Sequence, residues 1–271
     1  MNILVIGAGN MGLTFAEGMS HSSILKGNKI NIYDVSKQRI EEIKKMGIFN
    51  VCTSLQLCLP QADIVFLAVK PYNIEELFGN MRAFTNPSQI FVSIMAGVKI
   101  KTIQDNLDVE KVIRSMPNLP TKIGEGMTSF TISKSVSKSE SFLVNELMET
   151  TGITVEVENE NMIDASTGIS GSGPAYVFYF MQAIVEKSMN LGFTEEEAKR
   201  MTIQTFNGAV KLYEKHKETP KEWIEMVASK GGTTRAAIDI LDRGQVKESI
   251  IQAVTGAFER AVEMGNVDIK R

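Results

Sequence analysis

Hydrophobic residues follow two rhythms along this chain. Through residues 1–157, short apolar runs alternate with stretches in which apolar positions recur every three or four residues. The runs at 3–6, 29–33, 63–69, 89–95, 111–116, 126–133 and 153–157 predict strands. A short β-branched run without polar alternation fits a strand covered on both faces of a parallel sheet. The stretches between predict helices. The first follows residue 12 with Met11, Phe15, Gly18 and Met19 along one side, and others cover 36–46, 73–84, 99–107 and 137–150. Ser36 is the N-cap of its helix, with Ile40 and Ile43 facing inward. Strands alternating with helices predict a doubly wound sheet. From about Glu160 the strand rhythm stops and helical periodicity runs to the C-terminus, at 162–168, 175–191, 195–215, 235–242 and 246–264. Thr194 caps one of these helices, and Pro220 opens another with Trp223, Met226 and Val227 inward. The pattern predicts an α/β domain over 1–159 and an all-α domain over 160–271.

Composition narrows the picture. A chain of 271 residues suits two domains, and 43% hydrophobic with 23% charged residues is ordinary for a globular protein. A net charge of −3 gives no basic footprint for nucleic acid. Apolar stretches such as 64–69 are too short to span a bilayer, and the first strand leaves no room for a leader, so a cytoplasmic protein is expected. Cys52 and Cys58 fit no zinc spacing, and His21 and His216 lie elsewhere. Both thiols are expected to be reduced packing residues, and no metal site is expected.

The candidate chemistry sits at the ends of the predicted strands. Gly7-Ala8-Gly9-Asn10-Met11-Gly12 has G-x-G-x-x-G spacing between a strand and a helix. In that context the first glycine allows a tight turn, the second lets a pyrophosphate approach, and the third lets the helix pack on the strand. Asp34 ends the next strand, twenty-two residues beyond Gly12, near the offset expected of an acid that binds adenosine ribose hydroxyls. Further along this edge, Ala68-Val69-Lys70-Pro71, Ala96-Gly97 and Asn118, flanked by Pro117 and Pro120, are candidate cofactor contacts. Solvent exposure for Lys70 and plain turn chemistry for Asn118 are the bland alternatives.

Two glycine-rich stretches open helices in the second domain. Ser229-Lys230-Gly231-Gly232-Thr233-Thr234 offers backbone amides, hydroxyls and a helix N-terminus, a combination suited to a small carboxylate. The other, Gly168-x-x-Gly171-x-Gly173, is similar to a pattern in the β-hydroxyacid dehydrogenases that continues four residues later to a proton-handling lysine. Here that residue is Val177. Oxidising an alcohol needs a positioned base, whereas a protonated imine needs mainly orientation beside a hydride donor.

Taken together, the Gly7–Gly12 loop, Ala68-Val69-Lys70-Pro71, Met116-Pro117-Asn118, Ser170-Gly171-Ser172-Gly173-Pro174-Ala175-Tyr176 and Gly231-Gly232-Thr233-Thr234 resemble the pyrroline-5-carboxylate reductases. The resemblance implies a Rossmann-type doubly wound sheet followed by an all-α dimerisation domain, similar to the C-terminal domain of 6-phosphogluconate dehydrogenase. It implies reduction of L-1-pyrroline-5-carboxylate to L-proline by NADH or NADPH. It also implies that Ser229, Gly231, Gly232 and Thr233 hold the substrate carboxylate, that Thr234 bonds the ring nitrogen, and that Glu160 lines the substrate side. Dimers through the helical domain, and rings of dimers, are implied as well, with the active site shared between protomers. The chain departs from the family at Lys230, where a proline is usual. It departs again after the second strand, where Asp34 and Val35 lean towards NADH while Ser36, Lys37 and Arg39 leave NADPH open. A reductase of another cyclic imine, or a silent dinucleotide-binding regulator, stays open at this point.

Overall fold

The computed structural model describes residues 1–25 and 27–265. Contacts divide the described residues into two units, residues 1–172 with 256–265, and residues 173–255. The first unit begins with β1 (Ile3–Ile6), α1 (Asn10–Ser20), β2 (Asn31–Tyr33), α2 (Lys37–Met46), β3 (Asn50–Val51), α3 (Leu55–Cys58) and β4 (Ile64–Leu67). It continues through α4 (Ile74–Met81), β5 (Ile90–Ser93), α5 (Ile100–Leu107), β6 (Val112–Met116), β7 (Gly126–Ile132), α6 (Lys138–Met148), β8 (Gly152–Glu156) and α7 (Glu160–Ser166). A single turn of π-helix, Thr167–Gly171, follows.

The strands form one sheet in the order β3-β2-β1-β4-β5-β6-β7-β8. From β3 to β6 all pairings are parallel, and β7 then runs antiparallel to β6. Every residue of β1, β4 and β5 is buried, as their unbroken apolar runs require. Side chains alternate between the faces. Ile3 and Val5 join Phe15, Met19, Phe66 and Leu147 on one side, while Leu4 and Ile6 join Val65, Leu67, Phe78 and Ile103 on the other. Burying side chains of this size stabilises the fold by about 1.5–3 kcal/mol each. Ile6 is in register with both Tyr33 and Leu67, so the loops after β1, β2 and β4 leave the same edge. The chain reverses its direction of travel through the sheet between β1 and β4, which opens a crevice at that edge.

β3 and α3 were not expected, since elements of two and four residues are too short to carry a period. They bring a correction. Cys52 and Cys58 are joined in a disulfide, where two reduced thiols were expected. The chain doubles back through α3, leaving the two Cα atoms 6.2 Å apart, within bridging range.

The second unit holds α8 (Gly173–Asn190), α9 (Glu195–Lys215), α10 (Pro220–Val227), α11 (Thr233–Arg243) and the start of α12 (Val246–Gly265). Thr194 and Thr219 each form a capping box, with Glu197 and Glu222, which fixes where α9 and α10 begin. The inward placement of Trp223, Met226 and Val227 does not hold within one chain. Trp223 is half-buried, while Met226 and Val227 are 55% and 64% exposed. Among the described residues α8, α10 and α11 have none that is fully buried, so much of their apolar surface stays exposed. None of the described helices is long and apolar enough to cross a membrane.

Candidate active site

The glycine loop is built by close approach. Gly7 has a φ of +96° and donates its N–H to the Tyr33 carbonyl at 2.8 Å. A Cβ on Gly12 would lie 2.0 Å from the Gly7 carbonyl oxygen, so α1 packs on the loop only because that residue is glycine. Gly9 differs, since a Cβ there would meet nothing within 4 Å. It stands at the N-cap of α1, whose first turn has no side-chain cap. Open space in front of uncapped helix amides fits a dinucleotide pyrophosphate, which needs donors and room for close backbone approach.

Beside the loop, both oxygens of Asp34 are held by the backbone. Oδ2 accepts from Ala8 N at 2.6 Å and Oδ1 from Ser36 N at 2.8 Å. Ser36 caps α2, with its hydroxyl accepting from Arg39 N. Asn10 and Met11 open α1. Across the crevice, Ala68 donates its N–H to the Ile6 carbonyl, and Ala68 and Val69 are half-buried. Lys70 is exposed ahead of the 3-10 turn that Pro71 opens.

Other expected contacts also hold neighbouring elements in place. A Cβ on Gly97 would lie 3.0 Å from the backbone of Met264, so its close approach is to the end of α12, and Ala96 precedes it half-buried. Asn118 donates through Nδ2 to the Ser170 carbonyl at 3.0 Å and accepts from Met127 N at 2.9 Å. It ties the end of β6 to the π turn, in a place where such turns often mark functional sites. Glu160 caps α5, its Oε1 accepting from Ile100 N at 2.8 Å, and the same oxygen accepts from Arg114 Nη1 at 3.1 Å.

Arg114 and Asp164 were not singled out from the sequence. Arg114 lies in mid-strand, 1% exposed, between Glu160 and the buried carboxylate of Asp164. Its Nε has no partner. An arginine inside the run Val112-Ile113-Arg114-Ser115 was the available signal, because a strand covered on both faces holds a charge only where counter-charges reach it.

In the second unit, Gly232 N donates to the Ser229 carbonyl at 3.0 Å, and Gly231 has a φ of +75°. Lys230 is not among the positive-φ residues, so Ser229–Gly232 is a type II turn with Lys230 at its second position. Proline is favoured there, which explains the residue usual in the family, and lysine leaves φ unlocked. Gly232 is the N-cap of α11 without a side-chain cap, and Thr233 and Thr234 form the first turn. Thr234 is half-buried, and no described hydrogen bond uses its hydroxyl.

Comparison with known proteins agrees with this geometry. Residues 160–264 match the family model described as pyrroline-5-carboxylate reductase dimerisation, and residues 2–97 match NADP oxidoreductase coenzyme F420-dependent. Pyrroline-5-carboxylate reductase 3 of Xenopus laevis is 32% identical over 96% of this chain and 94% of its own. The chain belongs to the pyrroline-5-carboxylate reductase family. The solved reductase of Coxiella burnetii, 30% identical, superposes with a TM-score of 0.88 over 98% of this chain and 99% of its own. That of Plasmodium falciparum, solved with NADP bound, is 28% identical with a TM-score of 0.89 over 98% of both chains. The family resemblance read from the sequence is borne out, as are the Rossmann-type sheet and the helical dimerisation region. The uncovered faces of α8, α10 and α11 suit a chain that pairs through this region.

Proposed function

We propose that the chain is a pyrroline-5-carboxylate reductase, reducing L-1-pyrroline-5-carboxylate to L-proline, the last step of proline biosynthesis, with NADH or NADPH. The observation that carries this reading is that one chain holds two uncapped helix starts behind glycine turns, at Gly9 and Gly232. One suits a pyrophosphate and the other a small carboxylate. Residues 1–159 form the dinucleotide-binding part and 160–271 the dimerisation and substrate part, of which 266–271 lie outside the described residues. The dinucleotide supplies a hydride to the C=N carbon when bound. The chain's own residues bind and orient. The Gly7–Gly12 loop holds the pyrophosphate, Asp34 and Ser36 face the adenosine ribose, and Ala68, Val69, Lys70, Pro71, Ala96, Gly97 and Asn118 shape the rest of the binding edge. Ser229, Gly231, Gly232 and Thr233 anchor the substrate carboxylate. The Thr234 hydroxyl hydrogen-bonds the ring nitrogen, and Glu160 supports the substrate side through α5. Val177 offers no proton relay, which suits an imine better than a hydroxyacid. The enzyme works in the cytoplasm as dimers, which assemble further into rings.

Steady-state oxidation of NADH and NADPH with pyrroline-5-carboxylate tests the reaction. Turnover with either is the expected result, and none with either, despite dinucleotide binding, moves the assignment to another cyclic imine. Thr234→Ala is expected to lower kcat roughly tenfold or more, the scale of one lost transition-state hydrogen bond. Its dinucleotide Kd is expected to stay unchanged. Equal kinetics in parent and variant would remove Thr234 from the mechanism.

A further inference from the structure

The turn after β2 carries more than a ribose contact. We propose that Asp34 makes this enzyme select NADH over NADPH, an inference that rests on the dinucleotide-dependent reading above and adds its cofactor preference. The carboxylate is anchored at both ends, by Ala8 N at 2.6 Å from the glycine loop and by Ser36 N at 2.8 Å from its own turn. Both donors are backbone, so the carboxylate is fixed where a dinucleotide on the Gly7–Gly12 loop presents its adenosine ribose. Each carboxylate oxygen has a second lone pair and can accept from a ribose hydroxyl. A 2′-phosphate monoester has little to donate and brings close to two negative charges, which a fixed carboxylate repels.

The groups that could offset that repulsion are few and weakly placed. The Ser36 hydroxyl accepts from Arg39 N as the cap of α2, which leaves one neutral O–H donor to set against a fixed charge. The Arg39 guanidinium pairs with Glu42 at 2.9 Å. Val35, at 84% exposure, brings no donor to the outer side of the turn. Lys37 is the one remaining cation on the turn, exposed and without a partner among the described residues. A single solvated ammonium on a flexible stem contributes little against a fixed charge.

Equilibrium titration of the full-length protein with NADH and with NADPH, followed by nicotinamide fluorescence and without substrate, tests this directly. NADH is expected to bind at least roughly tenfold tighter, the scale of one desolvated like-charge contact. Asp34→Asn removes the charge and keeps the shape, and it should shrink that ratio to about threefold or less, chiefly by tightening NADPH. Val35→Arg gives a second route that leaves the anchored carboxylate in place. Its guanidinium should tighten NADPH while NADH affinity holds, so the test survives an Asp34 variant that fails to fold. Equal or tighter NADPH binding by the parent overturns the inference. So does an unchanged ratio in a folded Asp34→Asn, which would assign the preference to other residues. Failure to bind either dinucleotide sinks the dinucleotide reading along with it. Selective NADH binding without turnover of pyrroline-5-carboxylate supports the inference and counts only against the substrate.

Discussion

Arg114→Ala is expected to lose about 3–5 kcal/mol of stability, read as a fall in the urea midpoint at unchanged m-value. The guanidinium is 1% exposed and bonds both Glu160 and the buried Asp164. Removing it leaves a carboxylate inside the protein with no counter-charge, and that desolvation is the main cost. Replacing both buried charges together, as in Arg114→Met with Asp164→Leu, is expected to recover most of the loss. Full loss in the pair as well as in the single variant would point to packing around β6 and not to charge. Glu160→Gln is expected to be milder, because an amide oxygen can still accept from Ile100 N and so keep the cap on α5.

The second large effect separates two glycines of one loop. Gly12→Ala is expected to unfold or severely destabilise the protein, since its Cβ would lie 2.0 Å from the Gly7 carbonyl oxygen and 2.8 Å from the Ala68 Cβ. Neither neighbour is a flexible side-chain end, so β1, α1 and β4 would have to separate. Gly9→Ala should leave the thermal midpoint within a few degrees of the parent, because its Cβ meets nothing and its φ of −64° suits any L-residue. Dinucleotide affinity should nevertheless fall roughly tenfold or more, as the methyl occupies space the pyrophosphate needs. Calorimetry and fluorescence titration of the same two variants check both halves. Unchanged affinity in Gly9→Ala would put the pyrophosphate somewhere other than this loop.

The contrast shows what could be read ahead of the structure. The glycine spacing, the apolar runs and the offset to Asp34 marked the strand ends and the loops that leave them, because each is a local consequence of backbone geometry. The spacing did not distinguish a glycine needed for packing, Gly12, from one needed for access, Gly9, which depends on where Ala68 stands. Asp34 was expected as a ribose contact, but its bond to Ala8 N, twenty-six residues away in sequence, was not visible. Elements of two and four residues escape a periodic reading, and with β3 and α3 went the disulfide, whose Cα separation is fixed by the turn between them. Glu160 was expected on the substrate side and Asn118 among the cofactor contacts. Their side chains prove to hold α5 and the π turn in position. Periodicity also marked Met226 and Val227 as apolar positions but could not say which chain covers them.

The exposed apolar surface of α8, α10 and α11 has a thermodynamic consequence. A region that buries so little within its own chain is expected to draw its stability from association, which makes its unfolding a reaction between molecules. Its melting temperature then follows the logarithm of concentration, and dilution alone moves it towards disassembly. Turnover that depends on an intact pair would fade with dilution in an assay long before any residue at the site had changed.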